Sequence, residues 1–338
     1  MTILHRSPRR LPRRLVALAG AALLGLTLTA CGDDAEEVTV GLITKQEENA
    51  FWVTMREVAE DTAEEENVEL LTATGTSDTD VQSQVAALES MTGAGAVGIL
   101  IAPTDSTELV PAIERAREAG VIVIAVDTPV EPESAVDALF ATDNFRAGEL
   151  IGRYASAEAA ERGFEPRVAL LDLAPGIRSG ELRREGFLQG FGIAPGGPPP
   201  ASVDTEGDRD LARAGMERLL AADPGINVVY TVNEPAAFGA IEALEAAGRD
   251  LDDVIVVSVD GGCEAIKNGV RPGTIDATAQ QYPQNMAREG VEAVARAARG
   301  GEAPAEYLDT GVQLITGDPA PGVESRDVAY GVRNCWGD

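Results

Sequence analysis

Imidazole chemistry is closed to almost the whole chain, because its one histidine, His5, lies in a basic N-terminal stretch and none follows. That removes Ser-His-Asp and Cys-His nucleophile systems and every imidazole metal site. Lysine occurs only at Lys45 and Lys267, so the other basic groups are arginines, whose high pKa leaves little room for Schiff-base or general-base chemistry. Asp127 and Asp260 each directly follow an apolar run. They are the carboxylates that a glycosidase-like pair would use, or else caps for turns and helices. Two glycine motifs fail on context. Gly93-Ala94-Gly95-Ala96-Val97-Gly98 has the G-x-G-x-x-G spacing but follows a helical pattern and leads into a strand, the reverse of what phosphate binding needs. Gly176–Gly180 is not a nucleophile elbow, and no histidine could complete it. Neither a metal nor a cofactor is expected.

The charge balance narrows the partners. The 338 residues hold 27 Lys and Arg against 56 Asp and Glu, for a net charge of −29. Five of those arginines, Arg6, Arg9, Arg10, Arg13 and Arg14, sit in residues 1–30, which contain no acid. The remainder is therefore still more acidic than the total and repels phosphate backbones and anionic headgroups, so nucleic acid is not an expected partner.

The basic start runs into an apolar stretch, Leu15–Ala30, that is short for a membrane span and has the form of an export signal. Leu28-Thr29-Ala30-Cys31 resembles a bacterial lipobox, which implies acylation of Cys31 and attachment to the outer face of the cell membrane. Residues 1–30 are then a lipoprotein signal peptide and 31–37 an acidic tether. The remaining cysteines, Cys263 and Cys335, are an even number in an oxidising compartment, and one disulfide between them is expected.

The elements that must position any site follow from periodicity. Continuous apolar runs at 38–43, 68–72, 97–101 and 121–126 alternate with helical patterns at 51–66, 79–91 and 111–119. The alternation resumes with strands at 167–171, 201–203, 228–231, 254–259 and 274–277 and helices at 146–161, 181–190, 211–221, 236–247 and 284–298. Such runs imply strands buried on both faces of parallel sheets. The fold class is α/β, two doubly wound lobes, with ligands expected outside the carboxyl ends of the strands.

At those strand ends the residues become specific. Asn49-Ala50-Phe51-Trp52, Asp127, Thr142-Asp143-Asn144, Arg183-x-x-Gly186-Phe187, Asn233-Glu234-x-x-Ala237-x-Gly239-Ala240, Val259-Asp260-Gly261 and Gln281-Tyr282-Pro283 occur in this order. The chain resembles ribose-type periplasmic sugar-binding proteins, the solute-binding components of ABC transporters, from about Val38 to Thr316. The resemblance implies three crossings between lobes, near Asp143, Gln281 and Gly311. The N-terminal lobe is then 38–143 plus 282–311, and the C-terminal lobe 144–281 plus 312–338. Cys263 and Cys335 would share the second lobe, where a bridge could pin the tail.

It further implies a monomer that captures a monosaccharide or polyol by hinge closure and presents it to an ABC permease. Presentation to a membrane receptor is the alternative, and no catalysis is expected. Asn49, Phe51, Trp52, Asp127, Asn233, Asp260 and Gln281 fall at the family's ligand-contacting places. Their types suit a sugar: carboxylates accept from hydroxyls, amides do both, and an aromatic wall meets the apolar ring face. One of Phe51 and Trp52 is expected to face ligand while the other packs. The chain departs from the family at Glu181, where an arginine would contact ligand, and Arg178 is the candidate replacement. With Glu181 in the wall, the cleft is expected to be rich in acceptors, able to accommodate polyols and sugars, suited still better to amino sugars or other cationic ligands, and closed to sugar acids and phosphates.

Overall fold

Valine, isoleucine and leucine without alternation produce strands that bury both faces, and the helices between them start where a side-chain oxygen can cap the first turn. In the computed structural model, which describes residues 38–196 and 199–337, the strands of the first lobe are β1 (Thr39–Thr44), β2 (Glu69–Thr74), β3 (Gly98–Ile101), β4 (Ile122–Val126), β5 (Ala138–Ala141) and, from far downstream, β11 (Tyr307–Asp309). They form an all-parallel sheet in the order β11-β5-β4-β3-β1-β2. The second lobe is built from β6 (Val168–Asp172), β7 (Ala201–Asp204), β8 (Val228–Thr231), β9 (Ile255–Asp260), β10 (Ala277–Gln280) and β12 (Gln313–Thr316). Its order is β12-β10-β9-β8-β6-β7, and only the edge strand β12 runs antiparallel. The leader and Cys31 lie outside the described residues.

Helices cover both sheets. In chain order they are α1 (Ala50–Glu66), α2 (Val81–Gly93), α3 (Val110–Glu118), α4 (Asn144–Glu161), α5 (Arg178–Phe191), α6 (Arg209–Ala222), α7 (Glu234–Ala246), α8 (Pro283–Ala298) and α9 (Val328–Asn334). Asn49, Asp80, Asp143, Asp208, Asn233 and Asp327 cap six of them through their side-chain oxygens, each satisfying an otherwise orphaned backbone N–H. The chain leaves the first sheet after β5, returns after β10 with α8 packed on β3 and β4, and crosses again between β11 and β12.

The strand expected at 274–277 starts three residues later, as β10. Ile275 instead sinks into the core of the second lobe, and the Asp276 carboxylate accepts from the Val256 amide at 2.7 Å and pairs with Arg162 at 2.5 Å. Those contacts turn the chain before the ladder begins.

Helices α4 and α5 meet along a glycine seam. A Cβ on Gly148 would lie 1.9 Å from the Arg183 carbonyl oxygen, and one on Gly186 would lie 2.0 Å from that of Phe145. Gly152 and Gly190 repeat the contact one turn on, so the two backbones touch with no side chain between them. The seam fixes where α5 sits, and with it Arg183.

The Cys263 and Cys335 sulfurs meet, with Cα atoms 4.9 Å apart across 72 residues of sequence, a separation that suits a disulfide. Both cysteines lie against the second lobe. The next side chain reaches further: the Trp336 ring is part of the first lobe's core, edge-on to Phe51 at 5.3 Å. The tail thus reaches across the lobe boundary, beyond the expected second-lobe placement of 312–338.

Substituting Gly148 with Ala is expected to destabilise the protein by about 1–3 kcal/mol, the usual cost of overpacking. Urea unfolding would measure it. The same variant should weaken ligand binding, because α5 can yield only by shifting Arg183.

Candidate functional site

The carboxyl ends of both sheets face each other across the cleft, and all but one of the polar groups that converge there come from the residues just after a strand or from the first turns of a helix. Lys45 follows β1. Asn49 caps α1 by accepting from the Phe51 amide at 2.9 Å, and Phe51 and Trp52 occupy the first turn. Asp127 follows β4. From the second lobe come Leu173, Ser179 and Arg183 of the β6–α5 segment, Asn233 as the cap of α7, and Asp260 at the end of β9. Asp78, in the β2–α2 loop, completes the lining.

Asp127 and Asp260 hold left-handed backbone conformations, with φ of 63° and 99°. A non-glycine residue in such a region costs on the order of 1–3 kcal/mol. The strain aims both carboxylates at Arg183, whose guanidinium lies 3.4 Å from Asp127 and 3.7 Å from Asp260. Arg183 also donates from Nε to Asn144 Oδ1 at 2.7 Å and from Nη1 to the Val232 carbonyl at 3.0 Å. Asn144 in turn donates to the Asp127 carbonyl at 3.0 Å. Lys45 Nζ approaches Asp127 at 3.9 Å, donates to Thr128 Oγ1 at 3.2 Å and lies 5.4 Å from the Trp52 ring centre.

Asp260 is steadied from behind. Its carboxylate accepts from Gln281 Nε2 at 2.8 Å and from the Glu234 amide at 3.3 Å, while Glu234 accepts from the amides of Gly262 and Ala265, both at 2.8 Å. Burial, opposed mainly by Arg183, pushes the Asp260 carboxyl up to about 6. Burial, with the Asp260 charge adding to it, pushes Glu234 up to about 8. Burial raises Asp78 as well, against the attraction of Lys45.

Six of the nine sequence-predicted ligand residues therefore line one cavity: Asn49, Phe51, Trp52, Asp127, Asn233 and Asp260. Gln281 stands behind it as the partner of Asp260. Arg178 and Glu181 are not brought in. Glu181 keeps 45% of its side chain exposed and pairs with Arg178 at 3.2 Å, and Arg178 also reaches Glu185 at 2.9 Å and Glu131 at 3.4 Å on the cleft's outer rim. Helix geometry explains the correction: Arg183 takes the inward face of α5, so a residue two positions before it points away. The third acid in the cavity is Asp78 rather than Glu181, and Lys45 and Arg183 offset the acids. Phe51 and Trp52 also differ from expectation, since both line the cavity and both belong to the first lobe's core, edge to face at 4.7 Å.

Sequence reasoning passed over Lys45, Asp78, Leu173 and Ser179, and quoted Arg183 only as part of a motif. Lys45 had a signal, being one of two lysines and the residue after the first strand. Asp78, on an irregular loop, had none. Trp52 Nε1 and Asp78 Oδ1 are buried without a hydrogen-bond partner among the described residues, which leaves a donor and an acceptor free at the cavity.

The enclosed space is only about 20 Å³, because the lobes are drawn together. Across the boundary the Ser106 amide donates to the Gly176 carbonyl at 2.9 Å, Thr128 and Ser179 hydroxyls meet at 2.8 Å, and Thr79 donates to Glu206 at 3.3 Å. A roomier groove of about 710 Å³ beside the β5–α4 crossing holds Phe145 and Tyr307, but its Arg117 is already tied to Asp137 at 2.8 Å and its charges do not converge. Among the described residues, no group of acidic, histidine or cysteine side chains could hold a metal ion.

The comparison with known proteins turns on the same span. A profile of the periplasmic binding protein domain matches residues 40–302. The chain belongs to that family. Its relatives include the ribose import binding protein of Escherichia coli, 29% identical over 87% of this chain and 96% of that protein. The D-allose-binding periplasmic protein of the same organism is 30% identical over 83% and 90%. Among solved structures, a carbohydrate transporter solute-binding protein from Agrobacterium radiobacter in complex with D-arabinose aligns with a TM-score of 0.76 and 26% identity, covering 83% of this chain and 95% of that one. A solute-binding protein from Actinobacillus succinogenes with bound D-allose aligns at 0.73 and 26%, covering 83% and 98%. The ribose-type assignment and the two-lobed α/β fold thus stand on both sequence and structure.

The raised carboxyls give this periplasmic binding protein a stability profile with a definite sign. Between the ordinary values of 3.8 and 4.5 and the native values of about 6 for Asp260 and about 8 for Glu234, the folded state holds more protons than the unfolded chain. Their stabilisation is complete at low pH and is lost as pH rises through 6 and then 8. The melting temperature of the ligand-free protein should fall from pH 5 to pH 9, and Glu234→Gln should flatten the upper part of that fall. An unchanged slope in the variant would show that Glu234 is not the titrating group.

Proposed function

We propose that the chain is an extracytoplasmic solute-binding lipoprotein of an ABC importer that captures a neutral monosaccharide or polyol by closure of its two lobes and leaves it chemically unchanged. The observation that carries this reading is the opposed set at the strand ends. Asp127 and Asp260 accept from hydroxyls, Arg183, Lys45 and the free Trp52 N–H donate, Asn233 does both, and the Phe51–Trp52 pair supplies the apolar wall for a ring face. Contacts from both lobes to one ligand favour the closed form by the difference in affinity between closed and open states. The relatives named for ribose and allose, and the neighbours holding arabinose and allose, support a sugar of that size.

Both carboxylates that a glycosidase would need are engaged by one guanidinium, which supports holding hydroxyls over acid–base work. With two cations against Asp78, Asp127 and Asp260, the site is more nearly balanced than a wall containing Glu181 would be, which favours neutral ligands over amino sugars. The closed form is the surface that a permease would read, with Cys31 as the acylated anchor. The family's periplasmic setting supports export. Among the described residues, no helix is long and apolar enough to cross a membrane.

Calorimetry with pentoses, hexoses, polyols, amino sugars and sugar acids tests the ligand class. A neutral sugar or polyol should bind tightest. Arg183→Ala should lower its affinity at least about 100-fold, as expected when buried charges lose their partner, and Glu181→Gln should change it less than twofold. Tightest binding to a sugar acid, or turnover of the ligand by pure protein, would refute the reading.

Cell fractionation tests the anchor independently. Cys31→Ser should move the protein from the membrane to the soluble fraction, because two acyl chains suffice for stable attachment. Unchanged partition would place the anchor elsewhere.

A further inference from the structure

Trp336 is buried, yet it belongs to neither lobe alone. Its main chain is fastened to the second lobe in two ways: the preceding Cys335 meets Cys263, and its own carbonyl accepts from the Cys263 amide at 2.9 Å. Helix α9, just before it, packs on the second lobe's π-helical turn Ala265–Val270 and on β12. The indole points the other way. It stands edge-on to Phe51 at 5.3 Å within the first lobe's core, and Gly337 brings the following backbone against Ala50. The indole N–H donates to the Gln281 carbonyl at 2.9 Å, on the strand-to-helix crossing between lobes, and a Cβ added at Gly262 would meet the ring at 3.0 Å.

One side chain therefore touches Phe51 in the cavity wall, the turn that follows Asp260, and Gln281, the partner of Asp260. If the lobes separate, the anchored backbone must stay with Cys263, so the ring has to leave Phe51 or strain the tail. We infer that Trp336 is a latch, held by the Cys263–Cys335 pair, that positions Phe51 and biases the ligand-free protein toward its closed arrangement. The cysteines do not line the cavity, and the ring is their route to its aromatic wall.

The inference needs the cleft to close but does not depend on which ligand closes it, so the decisive measurement is made without one. Small-angle X-ray scattering of the mature protein reports lobe separation directly. Without ligand, wild type should give a radius of gyration between those of the closed and the separated arrangements. Trp336→Ala should raise the open-to-closed ratio by roughly tenfold, the scale of losing an aromatic edge-to-face contact, and Trp336→Phe should restore most of the closure. Wild type reduced with TCEP should shift as Trp336→Ala does, and Cys263→Ser/Cys335→Ser likewise. The reduced wild type keeps the experiment decisive should the alanine variant fold poorly. A merely structural tryptophan would lower the melting temperature in Trp336→Ala and leave scattering unchanged. That result, or a wild-type curve already matching separated lobes, or reduction without effect, would overturn the latch.

Discussion

A buried guanidinium in want of partners organises this molecule. Arg183 emerges from α5 into a space from which water is almost excluded, where an unpaired charge is costly and a paired one still needs its remaining donors filled. The chain answers with groups from both lobes: Asp127 from the first, Asp260 and the Val232 carbonyl from the second, and Asn144 at the crossing. Because these partners come from separate sheets, satisfying one side chain is the same act as bringing the sheets together. Several other features follow from that demand. Both aspartates accept left-handed backbones, Gln281 and the Glu234 amide hold Asp260 in line, and Lys45 adds a second positive group beside Asp127.

Delivering Arg183 to that point falls to residues with almost no side chain. The glycines of α4 and α5 let two helices approach until backbone meets backbone, which leaves α5 no freedom to slide or roll. Precision at the cleft is thus set along the helix pair, away from ligand. The strands contribute differently. The parallel strands send their carboxyl ends to one edge, so that six short segments open on the same space without any long loop being needed.

The fold was legible because its signals are local and repeated. Unbroken apolar runs such as Val121–Val126 read as doubly buried strands, and capping residues mark the start of six of the nine helices among the described residues. Short elements at or next to a sheet edge were not legible: β5, β11 and β12 are three or four residues long and owe their state to pairing with neighbours already in place. At the site, Asp127 and Asp260 stand out because each follows a strand, whereas Asn49 and Asn233 were reached through the resemblance to the ribose-type proteins. Glu181 was expected in the wall from the resemblance, but it lies on the face of α5 turned away from the cavity, where it pairs with Arg178. Asp78 was missed because loop geometry has no period. Trp336 was invisible for the opposite reason, since its place depends on a contact with a residue nearly 300 positions earlier.

The enclosed space among these charges has a kinetic meaning. No sugar fits into a cavity of about 20 Å³, so the proposed capture requires the lobes to part, and Arg183 to give up partners, before a ligand can enter. Under the proposed capture, uptake would be gated: at low concentration the rate would rise with ligand, scaled down by the share of time spent ajar, and at high concentration it would level off at the speed of opening. Tightness and quickness become separable properties, the first set by what the ligand replaces, the second by how firmly the protein grips itself.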